Sequence, residues 1–499
     1  MIEDILSILR GNIRILFYMM NLLLLLIVLC VILLVILFAL LKFILRKYKL
    51  TLHPEIRQSD STVVVGFFHP YCHAGGGGER VLWTAIRAIQ KKYPHVQCVV
   101  YTGDHEATGT EILNKARDTF NITIPHPERV HFIFLRQRDW VEAKTYPYFT
   151  LLGQSLGSAI LGVEALFKYI PDIYIDSMGY AFTLPIFRYL AGCKIACYVH
   201  YPTISTDMLD RVIQRQGTYN NASFISQSTI LSQGKLLYYR LFAYLYGIVG
   251  RCSQVVMVNS TWTRNHILHL WKTADRTNIV YPPCDTTEFV AIPLKDDSAS
   301  STTGKLFRVV SVGQFRPEKD HKLQIHAFCK FVRSRDDDRR EMFRLVLIGG
   351  CRNADDEARV QELRELCRML DVEENVEFKL NVPFIVLKEE LAAATIGLHT
   401  MWNEHFGIGV VECMAAGTVV LAHNSGGPKM DIVTDYEGSR TGFLADTEQT
   451  YADCMRTIYE LTPTERREIC SNARESVARF SEEAFENGFL DALENLLRI

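Results

Sequence analysis

The chain has 499 residues, 48% hydrophobic and 22% charged, with a formal net charge of −2. That length exceeds one ordinary domain, and the near-neutral charge excludes a general affinity for nucleic acid. The 13 cysteines are scattered, odd in number and without a C-x-x-C pair, which argues against a disulfide framework or a zinc site and fits a reducing compartment.

Residues 15–41 carry no charge and are Leu, Ile and Val almost throughout from Leu22 onward. About 20 apolar residues cross a hydrocarbon core of about 30 Å, so this stretch can span with some tilt. A cleavable signal has a shorter apolar region and a small-residue cleavage site. Neither is present, and the stretch reads as an uncleaved anchor, the alternative being a buried core helix. Arg10 and Arg14 precede it; Lys42, Arg46, Lys47 and Lys49 follow directly. The positive-inside rule puts the basic linker, residues 42–60, in the cytosol and leaves residues 1–14 as a short lumenal end. Sequons at Asn121, Asn221 and Asn259 then go unused.

The body starts near residue 61. Residues 62–68 form an apolar run, the first strand of a parallel sheet buried on both faces. A glycine-rich loop follows, His73-Ala-Gly75-Gly76-Gly77-Gly78-Glu79-Arg80, leading into a helical pattern. With glycines at 75 and 77, position 80 is arginine, and the loop lacks the Walker lysine, so neither a nicotinamide nor an ATP fingerprint fits. Four glycines give a side-chain-free loop that can close over a sugar diphosphate or an acceptor; a plain connecting loop is the alternative. The apolar stretches 146–167 and 231–249 read as core helices or as helices docked on a membrane surface. Residues 195–199 form a strand ending at His200, which either faces a cleft and bonds a sugar hydroxyl or is structural in a turn. Residues 279–285, I-V-Y-P-P-C-D, read as the exit of this domain.

Residues 291–305 are small and polar, a linker between domains at 61–290 and 306–480. The second domain opens on a strand at 307–312. Arg316 and Lys319 lie in the loop after it, where a guanidinium and an ammonium suit a diphosphate; solvated surface cations are the alternative. The organising stretch is 402–428, W-N-E-H-F-G-I-G-V-V-E-C-M-A-A-G-T-V-V-L-A-H-N-S-G-G-P. It reads as loop, a helix opening near Val410, strand and loop. Gly407 and Gly409 allow close backbone approach, and a helix start favours a diphosphate. Glu404 before the helix and Glu412 in its first turn suit hydroxyls of a sugar and a ribose. Gly426 and Gly427 form a second bare loop beside them, at the strands' carboxyl ends. Strand–helix alternation through both halves argues α/β with parallel sheets.

The Glu404–Glu412 spacing resembles the E-x7-E signature of retaining GT-B glycosyltransferases of family 4. His73 to Arg80 is similar to H-x-G-G-G-G-E-R, and 279–285 to the V-x-P-P-V-D segment before the superfamily's hinge, with Cys284 replacing valine. Within the family, the longer segments resemble the GDP-mannose-dependent α-1,2-mannosyltransferases that extend the dolichol-linked oligosaccharide in asparagine-linked glycosylation. In most of the family an arginine directly follows the glycine of the 313 loop. Here that position is Gln314, and Arg316 is two further on.

The resemblance, which spans nearly the whole chain, implies a GT-B fold: two Rossmann-like domains facing a cleft, plus one N-terminal transmembrane helix. It implies that residues 481–499 form a helix crossing back to the first domain. It also implies retaining transfer of mannose from GDP-mannose, without cofactor or divalent metal. Glu404, His200, Arg316 and Lys319 would carry catalysis. Gly75, Gly76, Gly77, Gly78, Glu79, His405, Phe406, Gly407, Gly409, Glu412, Gly426 and Gly427 would bind substrate. The acceptor would be a trimannosylated dolichol-diphosphate oligosaccharide receiving its fourth and fifth mannoses. The protein would be single-pass in the endoplasmic reticulum membrane with a cytosolic body, and other mannosyltransferases of the pathway are candidate partners. Two other readings stay open: another GT-B enzyme of the lipid-linked pathway, and a non-catalytic membrane-anchored nucleotide-sugar-binding scaffold. A scaffold needs no such set of glutamates, cations and glycine loops.

Overall fold

The computed structural model describes all residues except 1, 52, 58, 60, 61, 206, 209–228, 296–305, 335–339 and 499. Most of the expected linker and the Asn221 sequon therefore lie outside the described residues. Short runs of β-branched and aliphatic residues form two separate sheets. The first contains β1 (Val64–Phe68), β2 (Gln97–Thr102), β3 (Val130–Phe134), β4 (Ile173–Asp176), β5 (Lys194–Val199), β6 (Val255–Val258) and β7 (Thr277–Ile279), in the order β3-β2-β1-β4-β5-β6-β7. The second contains β8 (Phe307–Val312), β9 (Phe343–Gly349), β10 (Val376–Leu380), β11 (Ile396–Leu398), β12 (Val419–His423) and β13 (Gly442–Ala445), in the order β10-β9-β8-β11-β12-β13. Every pairing is parallel. Parallel sheets need cover on both faces, and β1, β2, β4, β6 and β12 are buried at every residue. The α/β, two-domain expectation is borne out.

Each sheet separates two apolar cores. One face of the first sheet packs on the helix Gly77–Lys92 and on the last helix, Glu482–Leu497. Phe485, Phe489 and Leu493 of that last helix are buried in the first domain's core, although their sequence follows the second domain. Arg87 ties the two helices together, donating to Glu486 at 2.6 Å and to Glu482 at 2.7 Å. The other face packs on the helices Thr150–Lys168 and Thr229–Gly250.

The N-terminal helix runs unbroken over Ile2–Thr51. The basic residues Lys42 to Lys49, expected in a linker, are therefore helical. The apolar side chains from Phe17 to Leu40 are exposed, the arrangement of a lipid-facing helix and not of a core helix. At its foot Leu45 is fully buried against the first domain. Lys49 pairs with Asp172 at 2.9 Å, and Arg57 pairs with the same carboxylate at 2.7 Å. Asp172 also accepts from the Val64 N–H that begins β1. Among the sequons, Asn121 is exposed at a helix end, whereas Asn259 is buried and its amide oxygen accepts from Thr263. Asn259 has no route to a glycan in this fold.

Truncating Phe489 to Ala empties a fully enclosed site between the last helix and the first sheet. A loss of about 3–5 kcal/mol is expected, read as a lowered midpoint of thermal unfolding in detergent.

Candidate active site

In both sheets strand order reverses once, between β1 and β4 and between β8 and β11. Ligands of open parallel sheets bind outside the carboxyl ends of the strands at such reversals. The loops leaving these four strands carry most of the residues singled out by sequence.

In the second domain, the loop after β8 brings Lys319 to the loop after β11. Lys319 Nζ donates to Glu404 Oε2 at 2.5 Å. His399, two residues before Met401 at the end of β11, places Nε2 3.3 Å from the same oxygen. Burial pushes the Glu404 carboxyl up, but the hydrogen bond from His399 and the charge of Lys319 outweigh it. The net result holds Glu404 well below the usual carboxylate range. It is ionised throughout the physiological range. Arg316 is exposed on the same loop, and among the described residues no carboxylate pairs with it.

Three residues on, Gly407 takes φ +115° and starts the helix Ile408–Ala415. The first backbone N–H groups of a helix have no intrahelical acceptor, and its positive end favours an anion. The helix begins two residues earlier than the sequence implied, so Glu412 lies in its second turn. Burial pushes the Glu412 carboxyl up to about 7, opposed by the Arg80 charge and reinforced by Asp285. Gly426 and Gly427 are glycines because the neighbouring loop leaves no room. A Cβ on Gly426 would lie 2.3 Å from the Glu404 carbonyl, and one on Gly427 2.4 Å from that of Phe406. Gly427 N–H donates to the Glu404 carbonyl at 2.8 Å. These glycines set the Glu404 loop. Phe406 turns inward: it is buried against Tyr281 and Phe480.

The first domain meets this constellation across the cleft. Gly77 approaches within 3.3 Å, counted from its would-be Cβ, of the Ile408 side chain at the helix start. Gly78 lies beside His69 and His200. Glu79 spends its carboxylate on the loop itself, accepting from Gly76 N–H at 2.8 Å. His200 Nε2 donates to the Ser177 carbonyl at 3.0 Å, which leaves Nδ1 as a lone-pair acceptor. Burial lowers His200 to about 4, and burial with the neighbouring His200 lowers His69 to about 3. Both rings are neutral near pH 7.

Several functional candidates were not legible beforehand. His399 sits at a strand end, a position that could have been flagged. Tyr201, Asp207, Trp262 and Asn403 have no local signature. A cavity of about 190 Å³ opens beside Tyr201, lined by Gln154, Ser155, Tyr180 and Thr203 among others.

The N-terminal half, residues 62–271, matches the family described as ALG11 mannosyltransferase N-terminus, and residues 295–476 match glycosyl transferases group 1. A mouse protein named GDP-Man:Man(3)GlcNAc(2)-PP-Dol alpha-1,2-mannosyltransferase is 60% identical over 441 residues, 88% of each chain. The human protein of that name is 57% identical over 455 residues, 91% of each chain. The chain belongs to this mannosyltransferase family. A Caenorhabditis elegans member is 48% identical, covering 90% of this chain and 94% of its own.

The fold of this mannosyltransferase family member is shared with more distant solved structures. A glycosyltransferase from Rickettsia africae superposes with a TM-score of 0.58 at 16% identity, covering 88% of this chain and 99% of its own. Anabaena HepE in complex with UDP and glucose gives 0.56 at 18% identity, covering 86% and 99%. These likenesses establish the two-domain GT-B arrangement.

Gly427→Ala places a methyl against backbone that has nowhere to go. The substitution should displace the Glu404 loop and abolish nucleotide-sugar binding by calorimetry, with far-UV circular dichroism unchanged.

Proposed function

We propose that the protein moves mannose from GDP-mannose, with anomeric retention and in α-1,2 linkage, onto the trimannosylated dolichol-diphosphate oligosaccharide. The observation that carries this reading is the Lys319–Glu404 pair, set at the second sheet's strand reversal and faced by the glycine loop and His200. Glu404, ionised, accepts from mannosyl hydroxyls. Lys319 and the N–H groups at the start of the helix Ile408–Ala415 stabilise the diphosphate as charge develops on it, and Arg316 reaches it from the exposed loop. Preorganised stabilisation of this kind is often the largest share of catalysis. Glu412 accepts from the ribose, and Gly75 to Gly78 close over the donor. The Tyr201 cavity, lined by hydroxyl and amide groups on the first-domain side, takes the acceptor's sugars.

The lipid end of such an acceptor needs a membrane beside the cleft. The exposed N-terminal helix provides the anchor, with its basic end and the body on the cytosolic face of the endoplasmic reticulum. Leu156, Ile160, Val163 and Phe167 on one helix and Leu237, Leu241, Tyr244 and Ile248 on another are exposed at helical spacing. These stripes suit the membrane surface.

The deciding assay is transfer of labelled mannose from GDP-mannose to a trimannosylated dolichol-type acceptor, with EDTA present. Product cleaved by an α-1,2-mannosidase supports the reading; activity only with another nucleotide sugar or a shorter acceptor replaces the substrate and keeps the family. Glu404→Ala should cut turnover by about 100–1,000-fold, the scale of losing one such electrostatic group, with far-UV circular dichroism unchanged although the unpaired Lys319 lowers the melting temperature. Undiminished turnover sinks the assignment.

The pH dependence of binding follows from Glu412. With its carboxyl near 7 in the free protein, a ribose that bonds the ionised form must drive off a proton below that pH. GDP affinity should therefore fall from about pH 8 to about pH 6, approaching tenfold per unit at the acid end. Glu412→Gln should flatten the profile measured by calorimetry.

A further inference from the structure

We propose that Asp207 and Trp262 of the first domain are positioning residues for Glu404, so that closing the two domains sets the carboxylate in its working place. The proposal rests on the reading of Glu404 as the donor-holding group.

Glu404 lies between two residues whose side chains both cross to the other domain. On one side Asn403 Nδ2 donates to Asp207 Oδ2 at 2.5 Å. On the other side the His405 ring stacks on Tyr201, with centroids 5.1 Å apart and planes 18° apart, and meets Trp262 at 5.1 Å. The first-domain partners form one continuous platform. His266 Nε2 is 3.6 Å from Asp207 Oδ2, and the His266 ring meets Trp262 edge-on at 4.2 Å. Trp262 and His266 both ride on the helix Thr261–Trp271. The second domain grips the start of that same helix: Asp431 accepts from Thr261 N–H at 3.0 Å and from the Thr261 hydroxyl at 2.6 Å, and also from Tyr281 at 2.9 Å.

The backbone at Asn403 shows that this contact is more than adhesion. Asn403 takes φ +50°, a left-handed conformation that a non-glycine residue adopts at a cost. The turn directs its amide away from its own domain and onto Asp207. Its N–H meanwhile donates to Ser425 Oγ at 2.7 Å, so the loop is pinned from below by the second domain and from the side by the first. Opening the cleft removes the lateral supports of Asn403 and His405 together. Glu404 is then held only by Lys319, His399 and the 425–427 loop, and the geometry needed for transfer is lost. Closure that completes a catalytic constellation is a general device, and misplacement of about 1 Å can cost about 100-fold.

The test uses the full-length protein in detergent micelles and reads two quantities: steady-state transfer, and backbone hydrogen exchange at residues 402–407. Asp207→Ala and Asn403→Gly, the latter keeping the left-handed turn accessible, should each lower kcat by about 10- to 100-fold. The KM for GDP-mannose should change far less. The double variant should lose no more than the worse single one, the mark of a shared interaction. Asp207→Ala should speed exchange at 402–407 and leave β12 protected. Asp207→Asn, which keeps an acceptor oxygen for Asn403, should retain wild-type exchange at the loop and guards against a variant that simply misfolds. Additive losses, unchanged exchange at 402–407, or deprotection spread across the second sheet would each overturn the proposal. Loop exchange that responds as expected, in a wild type that transfers no mannose, would uphold the latch and remove the mannosyl reading alone.

Discussion

A carboxylate buried at the carboxyl end of a parallel sheet must be paired, and Lys319 supplies the pairing for Glu404. Leaving a buried charge alone costs far more than the pair returns, so the contact constrains everything around it. It requires the loop after β8 and the loop after β11 to converge, which the strand reversal allows. It requires Gly426 and Gly427 to be bare, because the Glu404 loop lies directly on them. It also leaves a charge pair ready to be rearranged by a ligand.

The two domains are not simply hinged. The last helix returns from the second domain and buries Phe485, Phe489 and Leu493 in the first domain's core. Tyr281, Phe406 and Phe480 pack together where the chain crosses. These apolar contacts lie beside the polar ones at the cleft mouth, Asp207 with Asn403 and Thr261 with Asp431, so the domains meet through both kinds.

Sequence made the architecture legible wherever one physical signal dominated. Continuous β-branched runs marked strands that need cover on both faces, and the uncharged stretch of 15–41 marked the long apolar helix. Glu404, Lys319 and the glycine loop could be singled out because spacing and strand-end position carry chemical meaning by themselves, and the structure places them at the facing strand ends. Other features were hidden for definite reasons. The start of the helix at Ile408 depends on the positive φ of Gly407, which glycine permits but does not announce. Phe406 looked like part of a substrate loop because nothing local shows which way a ring will turn; tertiary packing buries it. Glu79 looked available for ligand, yet a carboxylate three residues past a bare helix start satisfies that start first. Asp207 and Trp262 matter only through residues about 140 to 200 positions away, a relation no local pattern contains.

The attachment of the N-terminal helix fixes where the cleft stands relative to it. Lys49 and Arg57 converge on Asp172, which also bonds the first residue of β1. The foot of the N-terminal helix is therefore fixed to the amino-terminal edge of the first sheet, while the cleft lies at the carboxyl edge. One five-residue strand separates the two edges, about 16 Å at 3.3 Å per residue. The candidate site thus stands off from the helix foot by roughly that length. Because Asp172 ties the helix foot to the residue that begins β1, the strand-end loops of the first domain are held at that fixed distance from the helix.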